Sequence, residues 1–131
     1  MTMSSDLVIG VDCSTTACKA IAWDGSGQAR AAGKEAIDLH HPATDAWEQD
    51  AEQWWTAWRG AIRQVTYLLG ERAKNVRALC ITHQRETIVV TDEQGAPLHP
   101  ALVWMDARCH DEVHRAIERL GAERLHELSG K

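Results

Sequence analysis

The sequence has little of what marks membrane, secreted or nucleic-acid-binding proteins. Its 131 residues hold 14 Lys and Arg against 19 Asp and Glu, a formal net charge of −5. Because binding along a nucleic-acid backbone requires a basic face, this charge argues against a nucleic-acid partner. The longest apolar runs, such as residues 7–11, are too short to span a bilayer, and residues 1–6 lack the features of a secretory signal. We therefore expect a cytoplasmic protein without a membrane partner.

Cysteine is also sparse, and its spacing does not favour a zinc site. The four cysteines are Cys13, Cys18, Cys80 and Cys109. Four residues separate Cys13 from Cys18, and no second pair follows at zinc spacing. We expect reduced, partly buried thiols.

Two histidines on a predicted helix, His110 and His114, do not change this expectation. The metalloprotease pattern needs Glu directly after the first His, and the chain has Asp111 there, with no third ligand evident. A solvated helix face is the favoured interpretation.

The first third of the chain predicts a three-stranded meander. The continuous apolar run at 7–11 is typical of a buried strand. Segments 18–23 and 28–37 predict the next two strands, with a strong turn signal at 24–27 between them.

The clearest helix prediction spans residues 50–69, where apolar residues recur at the three-and-four spacing of one helix face. Asp50 can cap its start, Gln53 fits a capping box, and Gly70 is a natural end. Its tryptophans, which we expect in the core rather than around a ligand, are Trp54, Trp55 and Trp58.

The second half predicts two more strands and two more helices. The strands are expected at 76–82 and 87–91, and residues 40–47 are expected to form a loop. One helix is expected from about Asp106 and a short last one over 122–129. The length allows one domain, and the order βββαββαα predicts an α/β fold with a mixed sheet.

A small polar turn follows the first strand. It contains Asp12, Ser14, Thr15 and Thr16, with Lys19 on the next strand. An acid at the end of a buried strand can hold Mg²⁺, and the turn and the lysine can face phosphate oxygens. Taken alone, the motif favours an ordinary polar β-turn.

A polar kink at 84–87 interrupts two apolar, β-like runs. It contains the adjacent Arg85 and Glu86, which would be costly to bury unpaired. Together they offer donors and acceptors to a ligand rich in hydroxyl groups. A surface hairpin with a local ion pair explains the kink equally well.

A third motif contains Trp104, Asp106 and Arg108. The indole of Trp104 can form an apolar wall against the carbon face of a ligand. For the other two residues structural roles are favoured: Asp106 as a cap of the following helix, and Arg108 as the partner of a carboxylate.

Taken together and in order, these segments resemble the N-terminal part of the FGGY family of carbohydrate kinases. That family opens with a strand, an Asp-x-Gly-Thr-Thr phosphate turn and a basic residue on the next strand, to which 12–16 and Lys19 correspond. It often has an acidic loop before an aromatic-rich helix, as at 47–50. Its glycerol kinases carry Asn-Gln-Arg-Glu-Thr and Val-Trp-Gln-Asp-Arg-Arg, and the chain has similar segments at 83–87 and 103–108. The resemblance covers residues 7 to about 120.

The resemblance implies an actin-like, ribonuclease-H-like ATPase fold with a mixed sheet flanked by helices. It implies Mg²⁺-dependent transfer of the ATP γ-phosphate to a hydroxyl of a sugar or polyol, such as glycerol or xylulose. Matching positions assign two sets of residues. Those expected at the ATP phosphates are Asp12, Ser14, Thr15, Thr16 and Lys19, with Asp12 also at the metal. Those expected at the acceptor are Arg85, Glu86 and Trp104.

Two departures bear on these expectations. Ser14 stands where the family usually has Gly, so the turn must tolerate a Cβ. Xylulokinases usually have Met-His in place of Arg85-Glu86, which argues against xylulose as the acceptor. The identity of the acceptor alcohol is therefore left undecided by the sequence.

The resemblance also implies that the chain is incomplete. The family's catalytic Asp base and adenine pocket lie beyond Lys131. We expect a short tail at 1–6 and, at 7–131, the N-terminal portion of the first actin-like domain, inactive alone. For the intact protein a homodimer is one expectation. A truncated, non-catalytic module that binds a ligand or partner is the alternative, and another actin-like ATPase is a weaker one. The kinase hypothesis requires the tip of the first hairpin and the kink to lie together.

Overall fold

The computed structural model of the chain describes residues 5–130. The predicted tail at 1–6 lies outside this range except for Ser5 and Asp6, and so does Lys131, the last residue of the predicted domain. The elements are β1 (Leu7–Cys13), β2 (Ala17–Asp24), β3 (Ala29–Ala36), β4 (His40–Ala43), β5 (Ala46–Gln49), α1 (Ala51–Leu69), a 3-10 helix (Gly70–Asn75), β6 (Val76–His83), β7 (Ala101–Leu102), α2 (His110–Leu120) and α3 (Ala122–Ser129).

The main sheet has the strand order β3-β2-β1-β6. The first three strands form the predicted antiparallel meander, and β6 pairs in parallel with β1, so the sheet is mixed as expected. Along β1 burial alternates strictly, with Leu7 and Ile9 buried and Val8 and Gly10 exposed. The apolar run therefore packs on one face of the sheet only.

Helix α1 covers that buried face. It contributes Ala57, Ala61, Val65 and Leu69 to the core, at the spacing of one helix face. Helix and sheet approach very closely at Gly33 of β3, where an added Cβ would lie 2.3 Å from the carbonyl oxygen of Ala61. The prediction of this helix is confirmed to within one residue.

Two details of α1 differ from expectation. Asp50 does cap the helix, accepting a 2.9 Å hydrogen bond from the backbone nitrogen of Glu52. The capping box is wrong, because Gln53 Oε1, which would have to accept from the Asp50 backbone nitrogen, instead accepts from the backbone nitrogen of Asp38 at 2.8 Å. The prediction of core packing is also wrong for Trp55, which is 55% exposed.

Residues 40–47 are not the expected loop. They form the hairpin β4–β5, and β5 pairs with β7 to make a second sheet of order β4-β5-β7. The pairing joins Gln49 to Ala101, so the partner strand is far away in sequence. Local sequence patterns do not record such a partner.

The strand predicted at 87–91 is wrong. This segment makes only isolated bridges, from Ile88 to Leu102 and from Thr91 to Pro97. The side chains of Ile88 and Val90 are more than half exposed, so their apolar pattern has no core to pack on.

The second long helix begins at His110, four residues later than predicted. Asp106 does not cap it, because its carboxylate accepts from the backbone nitrogens of Trp47 and Arg108 in the preceding loop. Neither α2 nor α3 has a buried residue, and the two helices contact one another. No helix between residues 5 and 130 combines the length and apolar character needed to cross a membrane.

Candidate functional site

The candidate site lies where β1 and β6 end. These strands are parallel, so their carboxyl ends meet at one edge of the sheet, a common position for ligands in α/β folds. The register pairs Asp12 with Thr82 and Cys13 with His83. The turn after β1 and the kink after β6 are therefore neighbours by topology.

Asp12 lies on the face of the sheet opposite α1. It is paired in register with Lys19 of β2 and accepts a 3.3 Å hydrogen bond from the Thr82 hydroxyl. An open cleft of about 460 Å³ lies over this face, and its walls include Asp12, Lys19, Thr82, Ile21 and Trp23. A carboxylate and a cation thus share one accessible surface.

The residues around Asp12 fit a phosphate-bound Mg²⁺. Carboxylate and hydroxyl oxygens are the hard donors that Mg²⁺ takes, and the ion usually needs one or two carboxylates beside substrate phosphates and waters. No three His, Cys, Asp or Glu side chains in the described part of the chain are grouped to hold a metal by themselves. The surroundings suit a metal that arrives with a phosphate ligand.

The hairpin turn accommodates Ser14 without strain. The serine hydroxyl donates a 2.9 Å hydrogen bond to the carbonyl of Ala17, parallel to a 3.0 Å backbone bond between the same residues. Its φ is negative, because Glu86 is the one non-glycine residue between 5 and 130 with a positive φ. The serine found at the family's glycine position therefore closes the turn.

The kink contacts the turn directly. The Gln84 backbone nitrogen donates to the carbonyl of Cys13 at 3.3 Å, and the Thr15 hydroxyl donates to Gln84 Oε1 at 3.1 Å. The backbone then turns through Glu86, whose φ of 67° lies in the left-handed region. Such a conformation in a residue with a side chain costs about 1–2 kcal/mol and is common at functional sites.

Arg85 is exposed, with 87% of its side chain accessible, and lies 3.8 Å from the Glu86 carboxylate. The expected cost of burying these charges therefore does not apply, and the local ion pair is present. Exposure leaves the guanidinium accessible to a ligand.

Trp104 joins the same cluster. Its indole Nε1 donates to the Thr15 hydroxyl at 3.2 Å, and its backbone nitrogen donates to the Thr87 hydroxyl at 3.2 Å. The residue is 54% exposed, so the indole is held by a hydrogen bond at Nε1 and still leaves surface accessible to a ligand.

A buried glutamine that the motif analysis did not single out holds these parts together. Gln49, at the end of β5, is fully buried and donates to the carbonyls of Thr15 and Asp38 at 2.6 and 3.1 Å. Its Oε1 accepts from Gln84 and from the Trp54 indole at 2.7 and 3.2 Å. In the sequence this glutamine lies in the acidic 47–50 segment before the helix cap, which by itself does not indicate burial.

Asp106 and Arg108 anchor the loop beyond Trp104. The Arg108 guanidinium lies 2.7 Å from Asp106 and 2.8 Å from Glu48, which confirms the predicted pairing. The Arg108 hydrogen bond, with those from the Trp47 and Arg108 backbones, lowers the pKa of Asp106 to about 2. The anchor is thus fully charged at neutral pH.

The structure brings together some of the predicted site residues. Thr15 and Trp104 are hydrogen-bonded, and the kink that carries Arg85 and Glu86 is bonded to the turn. The cleft over Asp12 and Lys19, in contrast, has no wall contributed by the three predicted acceptor residues. The residues predicted at the ATP phosphates are therefore divided between the turn and the exposed face of the sheet.

Comparison with known proteins decides the family. The sequence profile of the FGGY family of carbohydrate kinases, N-terminal domain, matches residues 7–131. The chain belongs to this FGGY family. It is 37% identical over 118 residues to a glycerol kinase of Beutenbergia cavernae, covering 89% of the chain and 23% of that protein. It is 38% identical over 120 residues to a xylulose kinase of Streptomyces rubiginosus, covering 91% and 24%.

The fold agrees with this assignment. The crystal structure of xylulose kinase from Rhodospirillum rubrum superposes with a TM-score of 0.85 and 29% identity, over 92% of the chain and 25% of that structure. The chain thus has the α/β, actin-like fold of FGGY kinases, as predicted. It spans about a quarter of the length of the curated relatives it matches.

Proposed function

We propose that the complete protein containing this chain transfers the γ-phosphate of ATP to a hydroxyl group of a sugar or polyol. One observation carries the proposal: the turn expected at the phosphates and the kink expected at the acceptor are one hydrogen bond apart, from Thr15 Oγ1 to Gln84 Oε1 at 3.1 Å. Phosphoryl transfer requires donor and acceptor in line and in contact, which such neighbours favour.

On the phosphate side, Asp12 would hold Mg²⁺, with the Thr82 hydroxyl beside it. When bound, the metal neutralises charge on the phosphate oxygens. Lys19 supplies a point charge on the same face, and Ser14 and Thr16 lie in the turn. These residues bind and orient the nucleotide's phosphates.

On the acceptor side, Arg85 and Glu86 offer charged donors and acceptors to neighbouring hydroxyl groups. Trp104 presents an indole face to the carbon side of the acceptor. The curated relatives include both glycerol and xylulose kinases. The acceptor class is therefore a small alcohol with several hydroxyl groups.

A phosphorylation screen of the complete protein tests the proposal. Glycerol, erythritol, xylulose and ribulose are each offered with ATP and Mg²⁺, and ADP release is measured against a reaction without acceptor. Acceptor-dependent ADP release with at least one of them is expected. Release from none would contradict the kinase assignment and favour the non-catalytic module.

Substitution of Arg85 tests the site. Arg85→Ala should raise the KM of the acceptor about tenfold to a hundredfold, because charge-assisted hydrogen bonds contribute about 1.5–3 kcal/mol. The KM of ATP should change little. Arg77→Ala is the matched control, since it removes an exposed guanidinium from the opposite end of β6. An unchanged acceptor KM in Arg85→Ala would remove Arg85 from the site.

A further inference from the structure

Among residues 5–130, Gln49 is the only polar or charged residue that is buried, with no accessible surface. Burying an amide is costly unless its hydrogen-bonding groups find partners. A glutamine amide has two donor hydrogens and an oxygen with two lone pairs. Gln49 uses its capacity completely: Nε2 donates to two backbone carbonyls, and Oε1 accepts from two side chains.

Two of these four partners belong to the candidate site. Gln49 donates to the backbone carbonyl of Thr15 at 2.6 Å and accepts from Gln84 Nε2 at 2.7 Å. Thr15 and Gln84 are also bonded to each other, since the Thr15 hydroxyl donates to Gln84 Oε1 at 3.1 Å. The three residues therefore form a closed ring of hydrogen bonds.

A closed ring fixes distances that single bonds leave adjustable. Thr15 lies in the turn after β1, and Gln84 begins the kink after β6, so the ring spans two separate chain segments. Its third corner comes from β5, in the second sheet. A buried, fully bonded amide also resists rearrangement, because any movement leaves a polar group unpaired.

We infer that Gln49 is a positioning residue, which sets the separation between the phosphate turn and the acceptor kink. The inference rests on the proposed function and adds to it a residue that contacts neither substrate. Gln49 acts through Thr15 and Gln84, and it holds the indole of Trp104 indirectly, since that indole donates to the Thr15 hydroxyl.

The decisive variant is Gln49→Met in the complete protein. Methionine keeps the length of the side chain and removes both N–H donors and the amide oxygen. We expect kcat/KM for the alcohol to fall about tenfold or more, because small misplacement of reacting groups is costly. The KM of ATP should rise as well, since the turn loses its anchor.

Trp54→Phe is the matched control. The indole N–H of Trp54 donates to the same oxygen of Gln49, and removing it leaves the three bonds of the ring intact. This variant should lower the melting temperature while both KM values and kcat stay within about twofold of the unchanged protein. The pair thus separates loss of stability from loss of positioning.

Gln84→Met gives an independent test of the ring. It removes the bonds from Gln84 to Gln49 and Thr15 but keeps the bonds of Gln49 to Thr15, Asp38 and Trp54. We expect a loss of kcat/KM similar to that of Gln49→Met, and no further loss in the double variant, because residues acting as a unit are not additive.

The outcomes are distinguishable. If Gln49→Met lowers only the melting temperature and its kinetic constants stay within about twofold, the residue is structural and the inference is wrong. If Gln49→Met does not fold, Gln84→Met decides, and unchanged kinetics there overturn the inference. If the unchanged protein phosphorylates no alcohol, the proposed function fails and the inference falls with it.

Discussion

The two halves of the chain are held together by different forces. Between residues 7 and 83, apolar side chains from the sheet and α1 form a continuous buried core. Between residues 84 and 130 the buried residues are Ala101 and Val103, and neither belongs to a helix. The first half is stabilised by packing, whereas the second half adds only these two buried side chains and is otherwise joined to the first through polar contacts.

This difference explains where the candidate site lies. The turn proposed to bind phosphate is part of a hairpin in the packed half, and the proposed acceptor residues Arg85, Glu86 and Trp104 lie in the attached half. Segments with few buried apolar contacts open locally at lower free energy than a core, and binding residues are often found in them. We therefore expect the phosphate side to be rigid and the acceptor side to be adjustable.

The largest predicted contrast comes from one substitution made in each half. Leu7→Ala, at a leucine that is 1% exposed, should lower the free energy of unfolding by about 2–5 kcal/mol, since it removes buried methylenes and leaves a cavity. Leu120→Ala, at a leucine that is 48% exposed on α2, should change it by less than about 0.5 kcal/mol. Urea unfolding measures both. Equal losses would contradict the division into halves.

Close approach of helix and sheet gives the next prediction. Gly33→Ala should destabilise the protein by about 1–3 kcal/mol, because the new Cβ would meet the carbonyl of Ala61 at 2.3 Å and the backbone must move. Gly25→Ala is the control, since a Cβ there meets nothing within 4 Å. Thermal unfolding compares the two variants, and a neutral Gly33→Ala would show that α1 is less tightly packed.

The stability that the Asp106–Arg108 anchor gives to the attached half should depend on pH. The pKa of Asp106 is lowered from 3.8 to about 2, so its stabilising contribution is complete above about pH 4 and is lost as the pH falls through 2. The backbone nitrogen of Trp47 donates to Asp106, so release of this loop should move the Trp47 side chain and change the tryptophan fluorescence. Asp106→Asn, which does not titrate, should lack the transition between pH 4 and 2. A transition of equal size in that variant would assign it to other carboxyl groups.

Elements whose determinants are local could be predicted from the sequence. The bounds of α3 agree with the prediction, and α1 differs by one residue, because caps and helical periodicity lie within the segment itself. The hairpin β4–β5 could not be predicted, since β5 depends on β7 across some fifty intervening residues. Residues 87–91 meet β7 only through the isolated bridge from Ile88 to Leu102, so their apolar pattern does not lead to a strand.

The candidate site shows a similar division. The family resemblance placed the turn, the kink and Trp104 at one site, and hydrogen bonds join Thr15 of the turn to Gln84 of the kink and to Trp104. Their roles toward a ligand stay a prediction. Burial could not be predicted, because it depends on what packs around a residue. The apolar runs around Arg85 predict a charge in need of a partner, yet Arg85 is exposed, and the acidic segment 47–50 gives no sign that Gln49 is the buried link.

The smallest predicted effect concerns the surface of the attached half. Glu112 and Arg115 form an ion pair one turn apart on α2, with 61% and 67% of their side chains exposed. Exposed pairs of this kind contribute about 0.3–0.5 kcal/mol, because water and salt screen them. Glu112→Gln should therefore shift urea unfolding by no more than this, and 1 M salt should remove the difference. A loss above about 1 kcal/mol would mean that the attached half is more firmly held than its exposed residues indicate.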